Sequence, residues 1–182
     1  MSTVARDTGL SQELMLVLER EEIRYEIIDG ALVVNPPPGF SHEDWLAESL
    51  AQMRVVSPPD IAVLGSGFKY FYAALSEGIL TNHTMADITV VRRGDVEERG
   101  TVRPPLLVVE VHSPTTWRTD QRRKREIYES TGVQTYLLLH PIEHTLTVLE
   151  LHNGRYVETI RLEGSGEIEM TRPFPVTLRP FG

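Results

Sequence analysis

The run at residues 106–111, Leu-Leu-Val-Val-Glu-Val, constrains this chain more than any other six positions. Its β-branched residues read as a strand, bounded by Pro105 on one side and Ser113-Pro114 on the other. Side chains alternate along a strand, so Val109 and Val111 face one way while Val108, Glu110 and His112 face the other. A carboxylate in the middle of such a run is costly to desolvate unless it is protonated, paired or bound to a cation. Glu110 therefore either has a partner or lies at an exposed strand end.

The 182 residues, 41% of them hydrophobic, suffice for one sizeable core, and residues 1–182 read as a single domain. The absence of cysteine excludes disulfides, thiolate zinc sites and a cysteine nucleophile. Apolar runs such as 106–109 and 136–139 fall far short of the roughly 20 residues of a membrane span. Residues 1–10 mix charges of both signs without an apolar stretch, so the expectation is a soluble, cytoplasmic protein. A net charge of -8 disfavours non-specific adsorption to nucleic acid or anionic lipid. The local exception is 118–125, where Arg118, Arg122, Arg123, Lys124 and Arg125 outnumber Asp120. That segment reads either as a solvated helix face or as a grip on a polyanion.

Along the chain, Leu10, Leu14, Val17 and Leu18 recur at helical spacing behind Ser11, a candidate N-cap, and the helix ends near Glu22. Residues 25–28 and 31–34 form a hairpin through Asp29-Gly30. A second helix starts at Ser41, carries Trp45, Leu46, Leu50 and Met53 on one face, and stops before Pro58. Strands follow at 61–64, 67–74, 88–91 and 106–111, with 81–84 read as a polar loop. Thr119 is placed to cap a third helix over 120–130, closed by Gly132. A buried strand at 135–139 and a hairpin of 145–151 with 155–162 through Asn153-Gly154 come next, then edge strands and turns over 164–180. The class is mixed α/β.

Asp87 opens the strand at 88–91, and caps a loop in the simplest reading. If that strand neighbours the one at 106–111, Asp87 and Glu110 converge and suit a hard cation such as Mg²⁺, which takes oxygen ligands. Asp120, Lys124 and Tyr128 share one stripe of the third helix, as a surface ion pair would also require.

Taken in order, Tyr25-Glu26-Ile27-Ile28-Asp29-Gly30, Asp87, Val109-Glu110-Val111 with Ser113-Pro114, then Asp120, Lys124, Tyr128 and Gly132-Val133 resemble the Uma-two family of restriction endonucleases, within the PD-(D/E)XK nuclease superfamily. The resemblance runs from about residue 25 to 156. It implies a restriction-endonuclease-like core, a mixed central sheet flanked by helices with N-terminal and C-terminal hairpins. It further implies a Mg²⁺-dependent (or Mn²⁺-dependent) endonuclease acting on DNA, with Asp87 and Glu110 as metal-binding acids. Lys124 would be the catalytic lysine, moved from strand to helix, and Glu26 an acid completing the site. Arg118, Arg122, Arg123 and Arg125 would then grip backbone phosphates, and a homodimer would serve a double-strand cut.

Three departures stand against the family pattern. Ala86 replaces a proline, His140-Pro141 replaces an aspartate-proline pair, and His112 occupies the superfamily's lysine slot, where binding metal, orienting water and packing are all open. With the acidic net charge, these keep a second reading in play, a nuclease-like fold that does not cut and serves as a binding or regulatory module. The string at residues 140–144, His-Pro-Ile-Glu-His, matches a zinc-protease pattern that needs a helix, and Pro141 between strands predicts a turn instead. His42, His83 and His152 read as isolated loop or surface residues, and Gly65-Ser66-Gly67 as a turn.

Overall fold

The computed structural model describes residues 3–5, 12–21, 23–34, 37–74, 81–112 and 117–179. Leu10, Ser11 and Glu22 lie outside them. The elements are β1 (Thr3–Ala5), α1 (Gln12–Arg20), β2 (Tyr25–Ile28), β3 (Ala31–Val34), α2 (Phe40–Val56), β4 (Ile61–Gly65), β5 (Lys69–Ala74), β6 (Thr81–Thr84) and β7 (Ile88–Arg92). After a 3₁₀ turn at Arg93–Asp95 come β8 (Gly100–Thr101), β9 (Leu107–Val111), α3 (Trp117–Thr131), β10 (Thr135–His140), β11 (Thr145–His152), β12 (Arg155–Glu163), β13 (Ile168–Met170) and β14 (Val176–Leu178).

The central sheet has the order β12-β11-β10-β9-β7-β4. All its pairings are antiparallel except β9 with β10, which run parallel and are joined by α3. A parallel pair needs a long crossover, and α3 supplies it. One face, through Leu107, Val109, Val111, Leu137 and Leu139, packs against Leu46 and Met53 of α2 and the β13–β14 hairpin. The opposite face, through Val108 and Tyr136, meets Ile127 and Tyr128 of α3 and Ile28, Val33 and Tyr70 of a second sheet. That sheet has the order β1-β3-β2-β6-β5-β8, and Leu18 of α1 covers Tyr25, Ile27 and Leu32 in it. The mixed α/β architecture with flanking helices and hairpins is therefore present.

Local chemistry explains the turns. Asp29 and Gly30 have φ of 52° and 77°, and Asn153 and Gly154 have 51° and 76°, the doubly positive pairs that a two-residue hairpin of matching twist requires. At the end of α3, Gly132 takes φ 89°, its N–H donates to the Glu129 carbonyl at 3.4 Å, and the Val133 N–H donates to Tyr128 at 3.0 Å. These are the two bonds of a Schellman close, sealed by Val133 and Tyr128 in the same apolar cluster.

Three expectations change. The N-cap of α2 is Gly39, with no side-chain cap, so Ser41 already lies inside the helix. α3 begins at Trp117, which places Thr119 within it. Residues 81–84 form β6, paired with β5 and, at His83 opposite Ile27, with β2. The two central side chains are bonded internally: Asn82 Oδ1 accepts the Gly30 N–H at 2.9 Å, and His83 Nε2 lies 3.1 Å from the Tyr25 carbonyl. His83 is thus a core residue, its ring edge-on to Tyr25. The outer strands of the central sheet are treated differently. On β4, Arg54 Nε donates to the Val63 carbonyl at 3.0 Å. On β12, Arg155, Glu158 and Glu163 are exposed, and the pairing with β11 is broken by an irregularity at Val148/Leu149.

Candidate functional site

In the β7–β9 ladder Ile88 pairs with Val109, and the Asp87 N–H donates to the Val109 carbonyl at 3.0 Å. Asp87 itself lies in the bend just before β7, outside the paired residues, close enough that its charge pushes the Glu110 carboxyl up. Asp87 Oδ2 accepts the Val111 N–H at 2.8 Å and lies 3.3 Å from Nε2 of His42 on α2. Burial pushes the Asp87 carboxyl up, but the His42 hydrogen bond and charge, with the Val111 N–H, bring it below the usual carboxylate range.

Glu110 is held from the helix side. Lys124 Nζ lies 3.1 and 3.2 Å from its two oxygens, and the Tyr128 hydroxyl donates to Oε1 at 2.9 Å. Lys124 and Tyr128 are one helical turn apart on α3, which is why both reach the same carboxylate. Glu26 on β2 completes the bridge: its Oε1 accepts the Met85 N–H at 2.7 Å and sits 3.0 Å from Lys124 Nζ. Glu26, Asp87, Glu110 and Lys124 are all buried, Glu26 only 1% exposed. The side chain of Asp120 lies outside the described residues.

Three acids thus converge on one ammonium and one imidazole. Burial, and then the charges of Asp87 and Glu26, outweigh the pull of Lys124 and push the Glu110 carboxyl up to about 7. Lys124 shows the converse. Burial pushes it down, yet Glu110, Glu26 and Asp87 more than compensate and hold it protonated above its ordinary range. His42 follows the same logic: burial lowers it, but Asp87 and Glu43 carry it above the usual imidazole value.

His112 lies two positions beyond Glu110 on the same face. Its N–H donates to the Leu139 carbonyl at 2.7 Å, and its ring stands 4.5 Å from that of His140, tilted by 54°. His140 Nδ1 accepts the Glu143 N–H at 3.2 Å, and residues 141–144 form a turn. His144 meets Trp45 at 5.9 Å instead, so the two imidazoles of the zinc-protease string have different neighbours and no helix joins them.

Two of the α3 arginines, Arg122 and Arg123, are engaged in ion pairs. Arg123 forks onto Asp29, with Nε to Oδ2 at 2.5 Å and Nη2 to Oδ1 at 2.7 Å, and also meets Glu126 at 3.1 Å. Arg122 pairs with Glu126 at 3.3 Å, Arg125 is exposed, and the side chain of Arg118 lies outside the described residues. The Arg123 hydrogen bond, against a smaller opposing effect of burial, holds the Asp29 carboxyl below its ordinary value. Both partners are half exposed, so Asp29→Asn is expected to cost only about 0.5–1 kcal/mol at pH 7. The wild-type benefit is present above the ordinary carboxylate value and lost as pH falls through the depressed one. Urea titrations at pH 7 and pH 2.5 check this, since the two proteins should converge at the lower pH.

The sequence reading overlooked His42, which sits in the first turn of α2 against Asp87 rather than on a loop. It also left Tyr128 without a role beyond the stripe. His152, at the exposed end of β11 beside Glu150, is a surface residue as expected. Among the described residues no group of three or more His, Cys, Asp or Glu side chains is arranged to hold a metal ion.

Comparison with known proteins gives the arrangement a context. No curated protein matches the chain. Among solved structures it is similar to the crystal structure of "a putative nuclease belonging to DUF820" from Anabaena variabilis ATCC 29413, with a TM-score of 0.65 and 20% identity over 84% of this chain and 83% of that one. At that identity the likeness establishes a shared fold. The model of the Uma2 family, described as "Putative restriction endonuclease", matches residues 11–179, nearly the whole chain. The protein is therefore a member of the Uma2 family.

Proposed function

We propose that the protein is a metal-dependent endonuclease that hydrolyses phosphodiester bonds of DNA. The observation that carries this reading is the pair of buried acids Asp87 and Glu110 on adjoining segments of the sheet, the charge of Asp87 felt at Glu110, with Lys124 held against Glu110. A positioned general base contributes about two to four decades, roughly 3–5 kcal/mol, whereas enzymes lower barriers by about 8–23 kcal/mol, so side chains alone fall short. The donor set suits Mg²⁺ or Mn²⁺, being all oxygen and short of positive charge, as the raised Glu110 carboxyl indicates. Two carboxylates are the usual protein share for Mg²⁺, with water and substrate phosphate supplying the rest.

Asp87 and Glu110 would hold the ion, whose chemistry is to polarise the scissile phosphate and lower the pKa of an attacking water. The protein groups do the remainder. Val111 N–H and His42 fix the Asp87 carboxylate, and Tyr128 fixes Oε1 of Glu110. Lys124, kept protonated by Glu26 and Glu110, presents a preorganised cation to the oxyanion that develops on phosphorus. In this reading residues 1–182 act as one domain in the cytoplasm, two copies serve a double-strand cut, and His112 is an accessory group beside the metal acids. No described helix is long and apolar enough to cross a membrane.

The net charge of -8, with Arg122 and Arg123 spent on internal pairs, favours one alternative, a nuclease-like binding module that no longer cuts. Supercoiled plasmid distinguishes them. The wild-type protein is expected to nick it with Mg²⁺ or Mn²⁺, and Asp87→Ala to reduce nicking to background. Equal cutting by the variant would identify a contaminant, and calorimetry without divalent binding would favour the module.

A further inference from the structure

Two separate chains of contact lead from the buried acids to the turn at residues 141–144. Along the sheet, His112 follows Glu110 on the same face, and its ring stands 4.5 Å from that of His140, the last residue of β10. Along α2, His42 lies 3.3 Å from Asp87, and Trp45, three residues on, shares the face of the helix that His42 occupies. The Trp45 indole in turn meets His144 at 5.9 Å, tilted by 52°. One side chain, His42, thus separates the indole from Asp87, and the turn is tied to the site along both routes.

This end of the central sheet leaves flat and apolar groups in water. His144 is exposed although its ring packs on Trp45, Ile142 in the same turn is 69% exposed, and Phe40 at the head of α2 is 85% exposed. His144 also takes a left-handed φ of 50°, a conformation that is costly for a residue with a Cβ and open to glycine. An imidazole is held there nonetheless, with the indole behind it. The charged neighbours are acids: Glu43 lies 3.8 Å from His42, and Glu143 lies 3.7 Å from His140. Such a rim repels phosphate, so the part of a nucleotide it suits is the neutral base with its π-face. A base inside a duplex has both faces covered by its neighbours in the stack, and only an unpaired base can lie on a side chain.

We infer that Trp45 and His144 form a stacking ledge for an unpaired base of the substrate strand, so that the substrate is DNA with a single-stranded segment at the scissile phosphodiester. The inference rests on the endonuclease reading for the identity of that strand, while stacking is a property of the two rings themselves.

Binding of a short single-stranded DNA oligonucleotide to the full chain, with Ca²⁺ in place of Mg²⁺ to hold off cleavage, is the first measurement. The single strand is expected to bind at least about tenfold more tightly than the blunt duplex of the same sequence. His144→Asn, in which the new residue accepts a left-handed φ, and Trp45→Leu, which keeps an apolar side chain against the core, should each weaken single-strand binding about 5- to 50-fold, the scale of one lost base stack. His152→Asn, at the far end of β11, is expected to match wild type. The second measurement is a direct signature. In Trp117→Phe, where Trp45 is the sole tryptophan, the oligonucleotide should quench the indole fluorescence, and an abasic strand of equal length, with the same phosphates and no bases, should not. Single-strand affinity unaltered by His144→Asn, a duplex bound as tightly as the single strand, or equal quenching by the abasic strand overturns the inference, even if the protein nicks plasmid. Base-dependent quenching in a protein that cuts no DNA upholds the stacking site and sinks the endonuclease reading. Should Trp45→Leu fail to fold, His144→Asn on the exposed turn decides alone.

Discussion

Lys124→Met is expected to lower the unfolding free energy by about 3–5 kcal/mol at pH 7.5, the scale for removing one partner of a buried ion pair. Methionine fills the volume of the lysine stem, so the loss reports charge rather than a cavity. Without the ammonium, Glu26 and Glu110 face each other and Asp87 with no compensating cation from α3. In the wild type, Lys124 is held charged above its ordinary range, so its contribution is fully present below the unfolded lysine value and is lost only at more alkaline pH. Glu110 has the opposite dependence. Its folded value of about 7 exceeds the unfolded value of 4.5, so the stability tied to its protonated form is complete below 4.5 and lost as pH rises through about 7. The deficit of Lys124→Met should therefore shrink at pH 5, where the acids left behind take up protons. Urea unfolding at the two pH values measures it. A deficit below 1 kcal/mol at pH 7.5 would mean that the ammonium does not compensate the acids.

Glu110→Gln is expected to separate activity from stability. Plasmid nicking should fall by about a thousandfold or more, because the amide is a poor ligand for a hard cation and the variant loses one of the two proposed metal-binding acids. Stability at pH 7.5 should stay level or rise. The amide keeps the shape of the side chain and an acceptor for the Tyr128 hydroxyl and Lys124, while removing one of three negative charges that compete for a single ammonium. Removing one partner of a buried ion pair is costly when it strands the other charge, but here Lys124 keeps Glu26 at 3.0 Å as its counter-ion. Nicking at the wild-type rate would remove Glu110 from the machinery. A melting temperature several degrees lower would show instead that the acid serves the fold.

Elements governed by local chemistry were legible in the sequence. Asp29-Gly30 and Asn153-Gly154 announce hairpin turns because few residue pairs accept two positive φ angles, and Gly132 announces the end of α3 for the same reason. The conspicuous acid of β9 was legible too, since an uncompensated carboxylate in an apolar strand demands a partner. Its partners were not legible from spacing alone. Lys124 and Tyr128 lie 14 and 18 residues away, and Glu26 meets the same ammonium from a different sheet. Only the ordered resemblance to a family pointed at them. His42 escaped for a related reason: nothing in the run Ser41-His42-Glu43 indicates Asp87, 45 positions later, as its neighbour. β6 was misread because Thr-Asn-His-Thr has the polarity of a loop, and its hydrogen bonds to β2 and to the Asp29-Gly30 turn exist only once the second sheet is assembled.

The two outer strands of the central sheet bear on how copies of the protein behave in a crowded solution. An open sheet invites strand addition from any neighbour with unpaired backbone groups. On β4, the Arg54 side chain already occupies the Val63 carbonyl, which would otherwise accept an incoming strand. On β12, a foreign strand would have to seat itself against alternating charges at Arg155, Glu158 and Glu163, beside a ladder whose register is broken. Both outer strands of the central sheet thereby carry features that discourage strand addition by a neighbouring copy.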